Sequence, residues 1–196
     1  MIKVQNFKTN LNKNLKDIFL LTPDIFFDER GFFYESWNEN KLNEILNKKI
    51  TFVQDNHSKS KKGVLRGMHY QLPPAEQGKL VRCTMGKIYD VAIDLRKYSS
   101  TFGQWIGVIL SAENKSILWI PSGFAHGFLT LSAEAEVQYK VTSLWNRNFE
   151  RSIKWDDPQI NINWPFKNFG IEKPDLSLKD NEAILLKEAE ISQNLF

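Results

Sequence analysis

The segment FVQDNHSKSKKGVLRGMHYQ, residues 52 to 71, sets Gln54, Asn56, Arg66, His69 and Gln71 beside apolar residues in strand-like sequence. Three more reactive residues follow in separate stretches: Lys79 in GKLV, His126 in IPSGFAHGF and Tyr139 in EVQYKV. Together they supply a base, a cation and an acid. Histidine suits the first role because its unperturbed pKa of about 6.5 lets it be neutral, and therefore basic, near neutral pH. A phenol is a weak acid that keeps its proton until a strong base demands it. An oriented carboxylate beside the imidazole would fix its tautomer and stabilise the imidazolium; Asp180 and Asp90 compete for that place.

Each residue also has a plain structural reading. A lone His69 is as well explained by a core histidine bonded to a backbone carbonyl. Tyr139 lies in a row with Val137 and Val141, as a half-buried structural tyrosine would. His126 alternates with Phe124 and Phe128. Asp180, three residues after Ser177, could simply favour a helix N-terminus. Lone lysines and arginines are most often surface charges. In an ideal strand Arg66 and His69 point to opposite faces, so both can line one pocket only if Gly67 marks a bulge that shifts the parity.

The elements that must position these groups read as strands. KIYDVAIDLR is the clearest: Tyr89, Val91, Ile93 and Leu95 fall on one face and Asp90, Ala92 and Asp94 on the other, the period of a half-buried strand. QWIGVILS, SILWIP, GFLTLS and AEVQYKVTSLW repeat the theme with short polar breaks, a spacing that argues for an all-β sandwich or barrel. Helices are expected in NENKLNEILNKK, where Leu42, Ile45 and Leu46 make one stripe, and after Ser177, where Ile184, Leu185 and Ala189 would pack back on the sheets. Both are read as small and peripheral.

At 196 residues the expectation is a single domain spanning 1–196. With 42% hydrophobic residues the chain can bury a substantial core, which argues against disorder. A net charge of +3 suits an anionic small ligand but lacks the clustered basic stripe of a nucleic-acid binder. The run KSKK at 59–62 is read as a solvated hairpin tip. Cys83 is the only cysteine, so no intrachain disulfide or thiolate-rich zinc site can form, and a reducing cytoplasm fits. The apolar run IFLL is broken at once by Thr22, Pro23 and Asp24, so neither a signal peptide nor a membrane span is expected.

From FFDERGFFYES through VLRGMHYQ, GKLV, IPSGFAHGF and EVQYK to LSLKD, the chain resembles the dTDP-4-dehydrorhamnose 3,5-epimerases over almost its whole length. The specificity lies in several separate motifs occurring in the family's order. The resemblance implies a cupin-type jelly-roll, a homodimer, no cofactor or metal, and a dTDP-linked 4-keto-6-deoxyhexose as substrate. It implies that His69 is the catalytic base, Tyr139 the acid and Asp180 the partner that orients the base. Arg30, Glu35, Gln54, Asn56, Arg66, Lys79, His126, Glu150 and Lys179 match positions that line the substrate site. Trp37 and Trp145 stand where the family often has a smaller aromatic. The segment FGIEKPD and the tail after Glu190 are longer than the family minimum.

The implied chemistry agrees with the residues. Inverting a carbon beside a ketone requires removing its hydrogen, holding an enolate, and returning a proton to the opposite face. Lys79 is the best candidate to stabilise the enolate charge, since GKLV places it at a strand start. A related epimerase acting at C-3 or C-5 alone would keep much the same base and acid. A metal-dependent cupin needs converging histidines and a carboxylate; the chain has only His57, His69 and His126, and Gln71 occupies the second position of a His-x-His pair starting at His69. A non-catalytic sugar-nucleotide binding module would use Arg66 and Lys79 but has no need of a base and an acid together.

Overall fold

A computed structural model describes residues 2–196. Its strands run β1 (Lys3–Lys8), β2 (Asn14–Thr22), β3 (Phe26–Asp28), β4 (Gly31–Phe33), β5 (Gln54–Lys61) and β6 (Leu65–Gln71). They continue as β7 (Lys79–Met85), β8 (Lys87–Asp94), β9 (Trp105–Ser111), β10 (Ile117–Ile120), β11 (Phe124–Thr130), β12 (Glu134–Val141) and β13 (Glu150–Ser152). A six-stranded sheet in the order β1-β2-β10-β7-β12-β5 faces a five-stranded sheet in the order β13-β6-β11-β8-β9, and β3 and β4 form a separate small hairpin. This is the expected all-β jelly-roll sandwich.

Apolar side chains from both sheets meet in the interior, among them Val81, Leu118 and Val137 from one and Ile88, Ala92 and Phe128 from the other. The outer faces are covered too. Helix α1 (Glu39–Leu46), capped by the Asn38 side chain, buries Leu42 against Leu80, Ile117 and Trp119 of the six-stranded sheet. On the other side Ile153, Ile160, Trp164, Leu186 and Leu195 pack on Leu65, Val91, Ile93 and Leu129. β8 is therefore buried on both faces, rather than half-buried as its alternation suggested.

The C-terminal helical region is two short helices, α2 (Leu178–Asn181) and α3 (Leu186–Ile191), separated by a break. Ala189 packs in the core as expected and Ile184 lies against it. The long tail has a packing role: Tyr70 Oη donates to the Asn194 carbonyl at 2.6 Å, and the Phe196 ring lies 5.8 Å from that of Tyr70. In the basic run, Lys59 pairs with Glu134 at 2.8 Å, and the chain turns just after Lys61.

The bulge required of Gly67 is present. β11 pairs His126 with His69 and Phe128 with Arg66, so one β11 residue lies opposite two β6 residues, Gly67 and Met68. That extra residue shifts the parity and turns Arg66 and His69 to the same side of the sheet. Gly67 has φ +129°, and a Cβ there would lie 2.5 Å from Gly127 Cα and 2.9 Å from the His126 carbonyl oxygen. Gly67→Ala meets both a disfavoured backbone region and an immovable neighbour. It is expected to destabilise the fold by about 3 kcal/mol, lowering the thermal midpoint by about 6–12 °C. An unchanged midpoint in calorimetry would contradict this account of the bulge.

Candidate active site

Between the sheets opens a cavity of about 550 Å³, within the usual range for a small-molecule site. Its wall is built from inward-facing strand positions. β5 contributes Gln54, Asn56 and Ser58, β6 contributes Arg66, His69 and Gln71, and Lys79, His126, Tyr139 and Glu150 come from β7, β11, β12 and β13. Ser177, Lys179 and Asp180 close it from α2 and its cap. All the residues expected at the site line this cavity except Arg30 and Glu35.

His69 and Tyr139 reach it from opposing sheets. His69 Nε2 lies 2.5 Å from Asp180 Oδ1. Asp180, nearly inaccessible at 4% side-chain exposure, is held by the Ser177 hydroxyl, which donates to Oδ2 at 2.8 Å. The competing partner is excluded: Asp90, wholly buried, takes His126 instead, with Nε2 at 3.0 Å from each carboxylate oxygen. The plain reading of Asp180 also proves correct, since its backbone N–H donates to Ser177 Oγ as the third residue of a capped helix.

With Nε2–H donating to Asp180, Nδ1 keeps its lone pair and is the basic nitrogen. Burial lowers the His69 pKa and outweighs the pull of Asp180 in the other direction, which favours the neutral ring. For Asp180, burial pushes the carboxyl up, but His69, the Ser177 hydroxyl and the Gly67 N–H together hold it below the usual range.

Lys79 is buried, and its ammonium donates to the His69 carbonyl at 3.2 Å. Burial brings its pKa down to about 8, against the opposing attraction of Asp90 and Glu150. Tyr139 is raised above the ordinary phenol value, chiefly by burial and despite the Arg66 charge, so the phenol is protonated. Glu150 and Lys179 form an ion pair at 2.6 Å on the cavity wall. Burial raises Glu150, but Lys179 and Trp145 overcome this and keep it ionised.

The remaining polar wall is pre-arranged. Gln54 Nε2 donates to Asn56 Oδ1 at 2.8 Å, and Gln54 Oε1 accepts the Trp145 backbone N–H at 2.9 Å. Arg66 Nε donates to Ser60 Oγ at 2.9 Å. Gln71 is a loop anchor, donating to the Ala75 and Leu144 carbonyls and accepting from the Asn146 N–H. Of the two unusual tryptophans, Trp145 lines the cavity, whereas Trp37 lies outside it, its ring 5.9 Å from that of Phe52.

Arg30 and Glu35 depart from expectation. Arg30 sits at the tip of the β3–β4 hairpin, 90% exposed and paired with Asp28 at 2.6 Å; Glu35 is paired with Lys41 beside α1. Neither reaches the cavity of its own chain. Sequence reasoning in turn overlooked Ser58, Gln77 and Ser177 as wall residues. Ser58 was readable, since it continues the alternation of Gln54 and Asn56, and its Oγ is buried with no hydrogen-bond partner. Gln77 lies in a loop, where no periodicity points to it. Among the described residues no group of three or more His, Cys, Asp or Glu could hold a metal ion, and no helix is long and apolar enough to cross a membrane.

Comparison with known proteins assigns this architecture. The sequence model of the family described as dTDP-4-dehydrorhamnose 3,5-epimerase matches residues 12–188. The dTDP-4-dehydrorhamnose 3,5-epimerase of Salmonella typhimurium is 55% identical over 179 residues, covering 91% of this chain and 96% of the relative. The crystal structure of the Legionella pneumophila dTDP-6-deoxy-D-glucose-3,5-epimerase, in complex with dTDP-4-keto-L-rhamnose, superposes with a TM-score of 0.88 at 47% identity, covering 98% of this chain and 97% of the other. A 3'-monoepimerase from Streptomyces bikiniensis, in complex with dTDP-quinovose, is more distant: TM-score 0.84, 32% identity, 91% of this chain and 88% of the other. The chain is an isomerase belonging to the dTDP-4-dehydrorhamnose 3,5-epimerase family.

Proposed function

We propose that this protein epimerises C-3 and C-5 of dTDP-4-dehydro-6-deoxy-D-glucose, giving dTDP-4-dehydro-L-rhamnose for dTDP-L-rhamnose synthesis. The observation that carries the reading is the opposition of His69 and Tyr139 across one cavity with the Lys79 ammonium buried in it. His69 Nδ1 removes the hydrogen on the carbon beside the ketone, and the electron pair passes to the keto oxygen as an enolate. Lys79 stabilises that oxygen. Tyr139 returns a proton to the opposite face, which inverts the centre; the imidazolium then releases its proton to solvent, the phenolate takes one back, and the cycle repeats at the second carbon. Arg66 suits the diphosphate, because its planar fork offers paired donors to phosphate oxygens.

The test is turnover of dTDP-4-keto-6-deoxyglucose in heavy water, followed by NMR of the sugar ring. Deuterium is expected at both C-3 and C-5. Label at C-3 alone would reassign the protein to the monoepimerases. His69→Ala is expected to lose about 100 to 10,000-fold in rate, as for removal of a general base.

A pH profile follows from the two perturbed cations. His69 is active when neutral, and its lowered pKa extends activity into mildly acidic solution. Lys79 is active when charged, so kcat/KM should fall as pH rises through about 8. Lys79→Met should abolish that alkaline limb and lower the rate about 100 to 1000-fold. A variant that kept the limb would show that another group titrates there.

The hairpin supports a homodimer. Phe26, Phe27, Phe32 and Phe33 are 57–73% exposed on β3 and β4, a concentration of apolar surface that a partner would cover. A second copy would also receive Arg30, which the family places at the substrate and which its own chain leaves outside the cavity. We assign Arg30 to the partner's site. Co-expressed Arg30→Ala and His69→Ala chains should then recover turnover that neither variant has alone, because one site of the mixed dimer is intact. Absence of recovery in a dimer confirmed by light scattering would place Arg30 elsewhere.

A further inference from the structure

Ser177 does more than begin a helix. Its Oγ accepts the Asp180 N–H at 3.2 Å, the ordinary N-cap bond, and its hydroxyl donates back to Asp180 Oδ2 at 2.8 Å. The same side chain therefore grips the backbone and the carboxylate of one residue. The usual arrangement is different: the acidic residue at this helix position reaches back to the N–H of the cap residue. Helix α3 of this chain does so, Glu188 Oε2 accepting the Leu185 N–H at 2.8 Å. In α2 the carboxylate instead points its Oδ1 at His69.

We infer that Ser177 is a positioning residue of the reaction, holding Asp180 so that His69 is kept as the Nε2–H tautomer with Nδ1 free to accept the substrate's proton. The inference rests on the role proposed above for His69. A carboxylate can rotate, and it can accept a proton-bearing nitrogen in several directions. The hydroxyl, together with the Gly67 N–H, restricts that freedom, and it is the hydroxyl that occupies Oδ2. Ser177 itself lines the cavity. In the empty enzyme water could replace its hydroxyl at Oδ2, but a substrate filling the cavity would displace that water. The bond is therefore most needed in the occupied site, and its loss should appear in kcat rather than KM.

Three substitutions separate this role from helix capping. Ser177→Thr keeps both bonds. Ser177→Gly leaves a residue that caps a helix nearly as well as serine but has no hydroxyl to donate to the carboxylate. Ser177→Ala removes both. The expected result is about a tenfold fall in kcat for S177G and S177A, the scale of one hydrogen bond to a charged group, with KM little changed, and recovery of the rate in S177T. In 15N-histidine-labelled protein, the His69 ring resonances, identified by their loss in His69→Ala, should move from the Nε2–H pattern toward a mixture of tautomers in S177G and S177A. S177G with unchanged kcat would show that capping alone matters and would overturn the inference, as would S177A retaining the pure Nε2–H pattern. Undiminished turnover by His69→Ala would instead overturn the base assignment, whichever way the Ser177 variants behave.

Discussion

The site depends on two glycines in contact. Gly67 and Gly127 let β6 and β11 approach until no Cβ would fit on either: a Cβ on Gly127 would lie 2.6 Å from the Arg66 carbonyl oxygen. That approach accommodates the extra residue in β6, and the extra residue puts Arg66 and His69 on one wall. A regular strand would send one of them into the packed outer face, where Ile153 and Leu186 lie. The Gly67 N–H also helps hold the Asp180 carboxyl below its usual range, so the irregularity that aims His69 also bears on its partner. Bulges re-aim side chains at the expense of ladder bonds; here the Gly67 donor serves the Asp180 carboxylate.

Around this irregular strand the sandwich is regular, and the contrast is physical. Both outer faces are covered, one by α1 and the other by the C-terminal segment, so the sheets are fixed from outside as well as inside. Such support matters because the cavity walls are polar and contribute little apolar packing of their own. Gln71 illustrates the arrangement: its side chain bonds three backbone groups in two loops and so fixes the rim without meeting the chemistry. The cavity can then hold a buried ammonium and an imidazole in one geometry, which is what oriented proton transfer requires.

The readable part of this protein was that carried by local pattern and by parity. Alternation gave the strands, the Leu42 stripe gave α1, and the conflict between Arg66 and His69 demanded a bulge at Gly67. Pairings across the sheets were not readable in the same way. Asp90 and His126 belong to strands whose register follows from tertiary packing, so Asp90 stood as a partner for His69 until β8 was placed beside β11. Likewise the double burial of β8 depends on a segment more than sixty residues downstream, which no window on β8 contains. Arg30 and Glu35 show a third limit: a residue can match a family position while its own chain leaves it outside the cavity.

The two histidine–aspartate pairs of the cavity differ in what they leave accessible, and the difference supports His69 rather than His126 as the proposed base. His126 is 7% exposed in its side chain, and its Nε2 is shared symmetrically between both oxygens of a carboxylate that no solvent reaches. His69 is 28% exposed into the cavity, and its Asp180 uses one oxygen for the ring and the other for Ser177. The first pair is fixed flush in the wall; the second has a ring partly open to the cavity. The buried pair is still not idle. Asp90 draws protons toward Lys79, opposing the burial that would strip the ammonium of its charge. One aspartate therefore orients an imidazole that burial keeps neutral, while the other helps a buried cation stay charged, and the proposed enolate chemistry would draw on both conditions in the same small volume.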